Sequence, residues 1–422
     1  MKLFRSHFEL LRSAPPFRAL FLAAAASGIG TYLAVVALIV DVYDRTESGA
    51  WVAALLIAEF LPVLVIGLLL GPLVDRLPRR GLMIGSDLLR AAVFAMLPFA
   101  PSAAAIVALA AVAGFATGFF RPAVYAGLPN LVADRDLPRA NGLMQAVDNL
   151  TWLVGLLAGG AILAAAGPDP NYVLNAASFV ASALLLVRIP ARRLQAGGTS
   201  GEGHFRDLAV GFRTVRTSRA LMTVLVTWSI VMVGIGNINV SGVVLVKEEL
   251  GGGDFEFGAI MASSGLGLLL GALLGGSWVE RRRMAEAYGS SIALMAVGAG
   301  LAAVSPSLWL AGACVILFGF GNGVASVCNP VLVQRGARDA VRGRAFTVIM
   351  SVTSTVLGLA MAAAGPLTDA IGARWVWGIT AGVFALAAGV GLVLARPIRA
   401  PDRVDVAPAT VLARGTPQAP PP

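Results

Sequence analysis

Five charged side chains, Glu59, Asp87, Arg90, Arg121 and Asp148, stand inside runs of sequence that are otherwise apolar. A charge in the middle of a hydrocarbon layer costs at least about 2.5 kcal/mol on insertion scales, so such residues are read first as functional. Carboxylates and guanidinium groups in that setting can pair, or can carry protons. The chain has no clustered His/Cys metal spacing, no G-x-x-x-x-G-K-[ST] loop and no Ser/His pair in or beside an apolar run. His7 and His204 both fall outside those runs. Catalysis, a metal centre and a bound cofactor are therefore not expected; the expected energy source is a proton gradient, carried by an acid among these five.

With three carboxylates against two arginines, one acid is left over if each arginine pairs once. Asp87 and Arg90 are three residues apart on one helical face and can pair locally. Arg121, just before Pro122, and Asp148 lie at similar depth in neighbouring runs and form a second expected pair. Glu59 remains. It lies roughly 14 Å from the outer end of its helix, near the midplane, with no basic residue within a turn. That makes Glu59 the first candidate for proton coupling and Asp148 the reserve. A neutral acid hydrogen-bonded to a neighbouring helix is the alternative for Glu59.

Such residues need a scaffold that crosses a bilayer. The 422-residue chain is 57% hydrophobic and only 13% charged, about half the roughly 25% charge of a soluble domain. Apolar runs fall near 18–41, 50–71, 81–100, 103–126, 141–165 and 171–188, then near 220–246, 257–279, 287–304, 308–334, 345–368 and 375–395. Each is long enough for a hydrocarbon core of about 30 Å. The expected class is an all-α polytopic membrane protein with twelve transmembrane helices.

An even number of spans puts both termini on one side. Of the 32 Lys and Arg residues, the outer loops hold only Arg45, Lys247 and Arg374. That bias places the termini in the cytoplasm and the protein in the cell membrane. The surplus of +9 charges answers to topology and to the lipid bilayer, not to nucleic acid. Cys314 and Cys328 share one span, so no disulfide framework is indicated.

The chain divides into a segment 1–17, a six-helix bundle 18–188, a linker 189–219, a second bundle 220–395 and a tail 396–422. The tail is rich in proline and arginine and expected to be disordered. In the linker, Phe205, Leu208, Phe212 and Val215 recur at helical spacing among Arg206, Arg213 and Arg216. This is a basic amphipathic helix, lying on the inner leaflet or packed on the bundle. The two bundles also echo each other at an offset of 205 residues. Gly71-x-x-x-Asp75-Arg76 returns as Gly276-x-x-x-Glu280-Arg281, and GFATG (114–118) returns as GFGNG (319–323). Paired six-helix halves around a midplane cavity are a secondary-transporter architecture.

The stretch GPLVDRLPRR (71–80) sits in the inner loop between the second and third spans. Gly71, Leu73, Asp75, Arg76, Arg79 and Arg80 resemble the signature loop of the major facilitator superfamily, G-x-L-x-D-R-x-G-R-K/R, with Pro78 in place of the second glycine. FFRPAVYAGLPNLV (119–132) followed by LPRANGL (137–143) resembles its enterobactin-exporter-like and actinobacterial efflux branch. GLLAGG (155–160) is similar to the fifth-span antiporter motif G-P-x-x-G-G, with Leu156 where proline stands. The resemblance implies that Gly71, Asp75, Arg76, Arg79 and Arg80 form a gating latch. The second copy, Gly276, Glu280 and Arg281, lacks the trailing arginines, having Met284 and Ala285 instead.

For cargo contacts the candidates are Trp152 and Trp228, deep in their spans, with Asn237, Asn239 and Asn322 as polar groups in the apolar second half. Trp51, Trp309, Trp375 and Trp377 read as outer belt residues. The expected function is proton-coupled antiport that exports small, largely apolar compounds, such as drugs, siderophores or secondary metabolites, by a monomer. Proton-coupled uptake of a solute, or a non-transporting receptor, are the alternatives. The sequence does not name the cargo.

Overall fold

The computed structural model describes residues 9–69, 77–195, 204–281, 284–337 and 339–396. Among them there is no strand. The first six long helices are α1 (Pro15–Thr46), α2 (Gly49–Leu69), α3 (Arg79–Met96), α4 (Ala103–Gly127), α5 (Leu137–Ala166) and α6 (Asp169–Val187). A shorter linker helix, His204–Thr217, leads to α7 (Arg219–Val244), α8 (Asp254–Arg281) and α9 (Met284–Ala303). The last three helices among the described residues are α10 (Leu308–Gly336), α11 (Asp339–Ile371) and α12 (Ala373–Ala395). Each expected span thus has its helix, and 11 are long and apolar enough to cross a membrane by length and composition. The twelfth, α9, is more polar because Glu286, Tyr288, Ser290 and Ser291 crowd its first turns. The tail expected to be disordered lies, after Arg396, outside the described residues.

Local signals explain where helices start and turn. Proline opens α1, α5 and α6, where the missing N–H would have had no intrahelical partner. Ser102, Ser218 and Ser307 cap α4, α7 and α10 by accepting a backbone N–H three residues on. Gly372, at φ 82°, makes the sharp turn between α11 and α12 that an L side chain rarely tolerates.

Hydropathy alone ends the first span at 41, yet α1 continues to Thr46. Its polar last turn is held by ion pairs: Asp41 bonds Arg45 one turn on, and Asp44 bonds Lys247 just beyond α7. Arg45 is therefore a helical residue, not a loop residue.

Packing repeats between halves. In the first, α1 packs on α5 and α6, α2 on α4, and α3 on α4 and α6. In the second, α7 packs on α11 and α12, α8 on α10, and α9 on α10 and α12. The halves meet reciprocally, α2 against α11 and α5 against α8.

The linker helix packs on α11 rather than resting only on lipid. A Cβ on Gly211 would collide with the Arg344 carbonyl, and Val215 is fully buried while Phe212 faces out. Phe205 and Leu208 lie on this helix, but their side chains are outside the described set.

Candidate transport pathway

Of the signature loop, Gly71, Asp75 and Arg76 lie outside the described residues. Arg79 and Arg80 open α3 and act as fasteners within the first half. Arg79 donates to the carbonyls of Ala126 (3.0 Å) and Leu194 (2.9 Å), and Arg80 to that of Val187 (2.5 Å). They tie the end of α3 to the ends of α4 and α6 and to the start of the linker. Gly276, Glu280 and Arg281 occupy the last turns of α8, with their side chains outside the described set.

The expected pair of Asp87 and Arg90 is formed at 2.5 Å, with both groups buried. The Arg90 guanidinium lies over the rings of Phe120 and Phe179, 4.4 and 4.2 Å from their centroids. The pair thereby joins α3 to α4 and α6, a structural role. Arg90→Ala would leave a buried carboxylate without a cation, a change that costs about 3–5 kcal/mol. A sharply lower melting temperature in detergent is expected. An unchanged one would remove the structural reading.

Arg121 and Asp148 approach to 3.6 Å, linking α4 to α5, and the Tyr125 hydroxyl donates to Asp148 at 3.4 Å. This site is open: the Arg121 and Asp148 side chains are 59% and 34% exposed. Glu59 differs from all of these. Among the described residues it makes no hydrogen bond or ion pair, and no charged group lies near it. It sits on the opposite side of α2 from the exposed Leu61.

The position of Glu59 is built by a glycine. A Cβ on Gly114 of α4 would overlap the Glu59 carbonyl, so only glycine lets the helices meet there. At an offset of 205 residues the same contact recurs: Gly319 of α10 abuts the carbonyl of Ser264 on α8. The repeated G-F-x-x-G stretch is thus a helix-contact motif, and Ser264 is the counterpart of Glu59. One half carries an acid where the other carries a hydroxyl.

Sequence reasoning missed Asp41. It is 7% exposed, accepts the Tyr172 hydroxyl at 2.9 Å and binds Arg45 Nε at 2.6 Å. Arg45 also donates to the Ala100 carbonyl, fixing the α3–α4 turn. The i,i+4 spacing of Asp41 and Arg45 is the available signal, obscured when the span is ended at 41. Among the described residues, Asp41, Asp87 and Asp148 thus each pair with an arginine of the first half, whereas Glu59 has no such partner.

At the end that the charge bias assigns to the outside, called outer here, the halves are joined. The Tyr43 hydroxyl donates to Glu248 at 3.3 Å, and Lys247 bridges Asp44 (2.5 Å) and Asp254 (2.9 Å). Asp369, near the end of α11, accepts from Ser48 Oγ (2.8 Å) and from the N–H groups of Gly49 (2.6 Å) and Ala50 (3.1 Å). It serves as a cap for α2 supplied by the other half.

Beneath this closure lies a cavity of about 230 Å³ between α5 and α7, α8, α10 and α12. Trp152, Phe257, Phe318 and Trp377 supply aromatic walls, and Asn239, Ser264 and Asn322 the polar groups. No lining residue is charged. All come from the second half except Trp152, whose ring lies in van der Waals reach of Gly265 on α8. Trp377 corrects its belt reading: it is 2% exposed and inside, whereas Trp309 and Trp375 face outward. Asn237 is not on the wall but donates to Thr380 at 3.1 Å within the second bundle. Trp228 packs half-buried on the core and is not on the wall either.

Two packed six-helix halves, closed against each other at one end above a cavity, are the architecture of a membrane transport protein. The chain belongs to the Major Facilitator Superfamily, whose family model matches residues 20–354 and 228–416. The MFS-type transporter YfiS of Bacillus subtilis (strain 168) is 26% identical over 358 residues, 82% of this chain and 85% of that one. The enterobactin exporter EntS of Salmonella typhi is 27% identical over 370 residues, covering 84% and 86%. The putative bacilysin exporter BacE of Bacillus amyloliquefaciens is 25% identical over 362 residues, covering 85% and 89%. Among solved structures, a bacterial homologue of the iron transporter ferroportin in an inward-facing state shares the fold. Its TM-score is 0.74 at 14% identity, over 90% of this chain and 99% of that one.

Proposed function

We propose that this protein is a proton-coupled antiporter of the cell membrane, exporting small, largely apolar compounds by alternating access, with both termini in the cytoplasm. The observation that carries the reading is a division of labour. The second half lines an uncharged cavity, while the first half holds, among the described residues, a half-buried carboxylate without a partner, Glu59. Relatives named as exporters of enterobactin and bacilysin support the outward direction. Uncharged aromatic walls favour apolar cargo, since sugars and phosphates need dense polar or cationic sites. Asp148, one turn before Trp152 on α5, and its partner Arg121 stand where protonation and cargo can influence each other. The reading is of a monomer.

The test is transport in proteoliposomes with and without an imposed proton gradient, using a hydrophobic fluorescent dye as cargo. Gradient-dependent movement in the export direction is expected. Movement together with protons would reverse the assignment to symport. In the same assay Asp75→Asn is expected to insert normally but transport slowly, and Glu280→Gln to do less harm, because the second copy lacks the arginines. Equal damage from both would make the two loops equivalent.

A further inference from the structure

The cavity carries two carboxamides that the helices themselves do not use. Asn239 on α7 and Asn322 on α10 line it, and neither side chain is hydrogen-bonded among the described residues. Asn237, two residues from Asn239, does have a partner in Thr380, so the neighbouring amide of the same helix is structurally engaged and this one is not. Ser264 donates to the carbonyl of Met261 at 2.7 Å and retains only acceptor capacity toward the cavity. A carboxamide offers a donor pair and an acceptor in one plane, and it matches a group that offers the same in reverse. The aromatic walls of Trp152, Phe257 and Phe318 provide flat apolar surface around these amides.

From this arrangement we infer that the cargo is a neutral aromatic compound bearing an amide-type group, one that presents a hydrogen-bond donor and an acceptor together, read by Asn239 and Asn322. The inference rests on the transport reading above and narrows its substrate class. Charge is disfavoured, because the lining holds no counter-ion for either sign. Size is bounded as well: about 230 Å³ falls below the roughly 300–1,000 Å³ of pockets that hold drug-sized ligands. A fused two-ring compound with one amide is the scale that fits.

The test uses four probes of nearly equal shape: 2-naphthamide, 2-acetylnaphthalene, 2-naphthoate and 2-naphthamidinium. Equilibrium binding is measured on the full-length protein in nanodiscs, with empty nanodiscs subtracted. Naphthamide is expected to bind about three- to tenfold more tightly than acetylnaphthalene, the range of one net hydrogen bond. Both ions are expected to bind more weakly than either. Of Asn239→Leu and Asn322→Leu, close in volume to the native residues, at least one should erase the amide preference, so that naphthamide binds no more tightly than acetylnaphthalene. Equal binding of naphthamide and acetylnaphthalene would overturn the inference, as would a preference surviving in both variants. Tightest binding by naphthamidinium would also overturn it, by showing that the aromatic walls select a cation. The two readings fail separately. An amide preference without movement across proteoliposomes would sink transport and keep this site. Dye transport with no preference among the four probes would do the reverse.

Discussion

Glu59→Gln is expected to bind cargo as the wild type does, while proton-driven accumulation falls to the level of protein-free vesicles. Glutamine keeps the volume and hydrogen-bonding capacity of the side chain but has no proton to exchange. The Gly114 contact involves the backbone of residue 59, so the substitution leaves the helix contact undisturbed. The acids Asp41, Asp87 and Asp148 are each committed to an arginine, Asp41 to Arg45, Asp87 to Arg90 and Asp148 to Arg121. A carboxylate without a cation in apolar surroundings is costly to keep ionised, so coupling through Glu59 requires it to hold its proton there and release it only where water reaches it. Proton flux on cargo addition is the deciding measurement. Undiminished flux in Glu59→Gln together with loss in Asp148→Asn would move the coupling site to α5, beside Trp152.

How much of this arrangement is legible in the sequence varies residue by residue. The helices are readable because twenty apolar residues have few other fates, and the repeat because glycines and charges recur at one offset. The pairs Asp87–Arg90 and Arg121–Asp148 follow from spacing and depth. Asp41 does not, because hydropathy treats a charge as a span end, whereas Arg45 and Tyr172 let the helix carry it inside. Trp377 misleads for a related reason. Its place near a helix end suits a belt residue, and only the packing of α12 against α7 and α9 turns it inward. Asn237 and Asn239 look equivalent in sequence; one faces Thr380 and the other the cavity, a difference of helix face that depends on which neighbour arrives. The counterpart relation of Glu59 and Ser264 is implicit in the offset but needs the glycine contacts to be seen.

The outer closure is not legible at all, since Asp369 and Gly49 are 320 residues apart in the chain. Its removal is expected to expose the cavity to the outside. In the double variant Asp369→Ala, Lys247→Ala, α2 loses its cap and Lys247 no longer bridges Asp44 to Asp254. Losing an N-terminal cap costs about 1 kcal/mol, and surface ion pairs add roughly 0–1 kcal/mol. Because both interactions join the halves, their loss falls on the closed state and not on the fold of either half. A shift of about 1.4 kcal/mol changes the ratio of two conformations tenfold. The readout is labelling of Ile260→Cys, on the cavity wall, by a membrane-impermeant maleimide added from outside, with the buried Cys314 and Cys328 replaced by serine. Labelling several-fold faster in the double variant is expected. An unchanged rate would mean that the closure is held by the apolar contact of Gly160 with Gly258, where α5 and α8 touch backbone to backbone, and that the charges at its rim only decorate it.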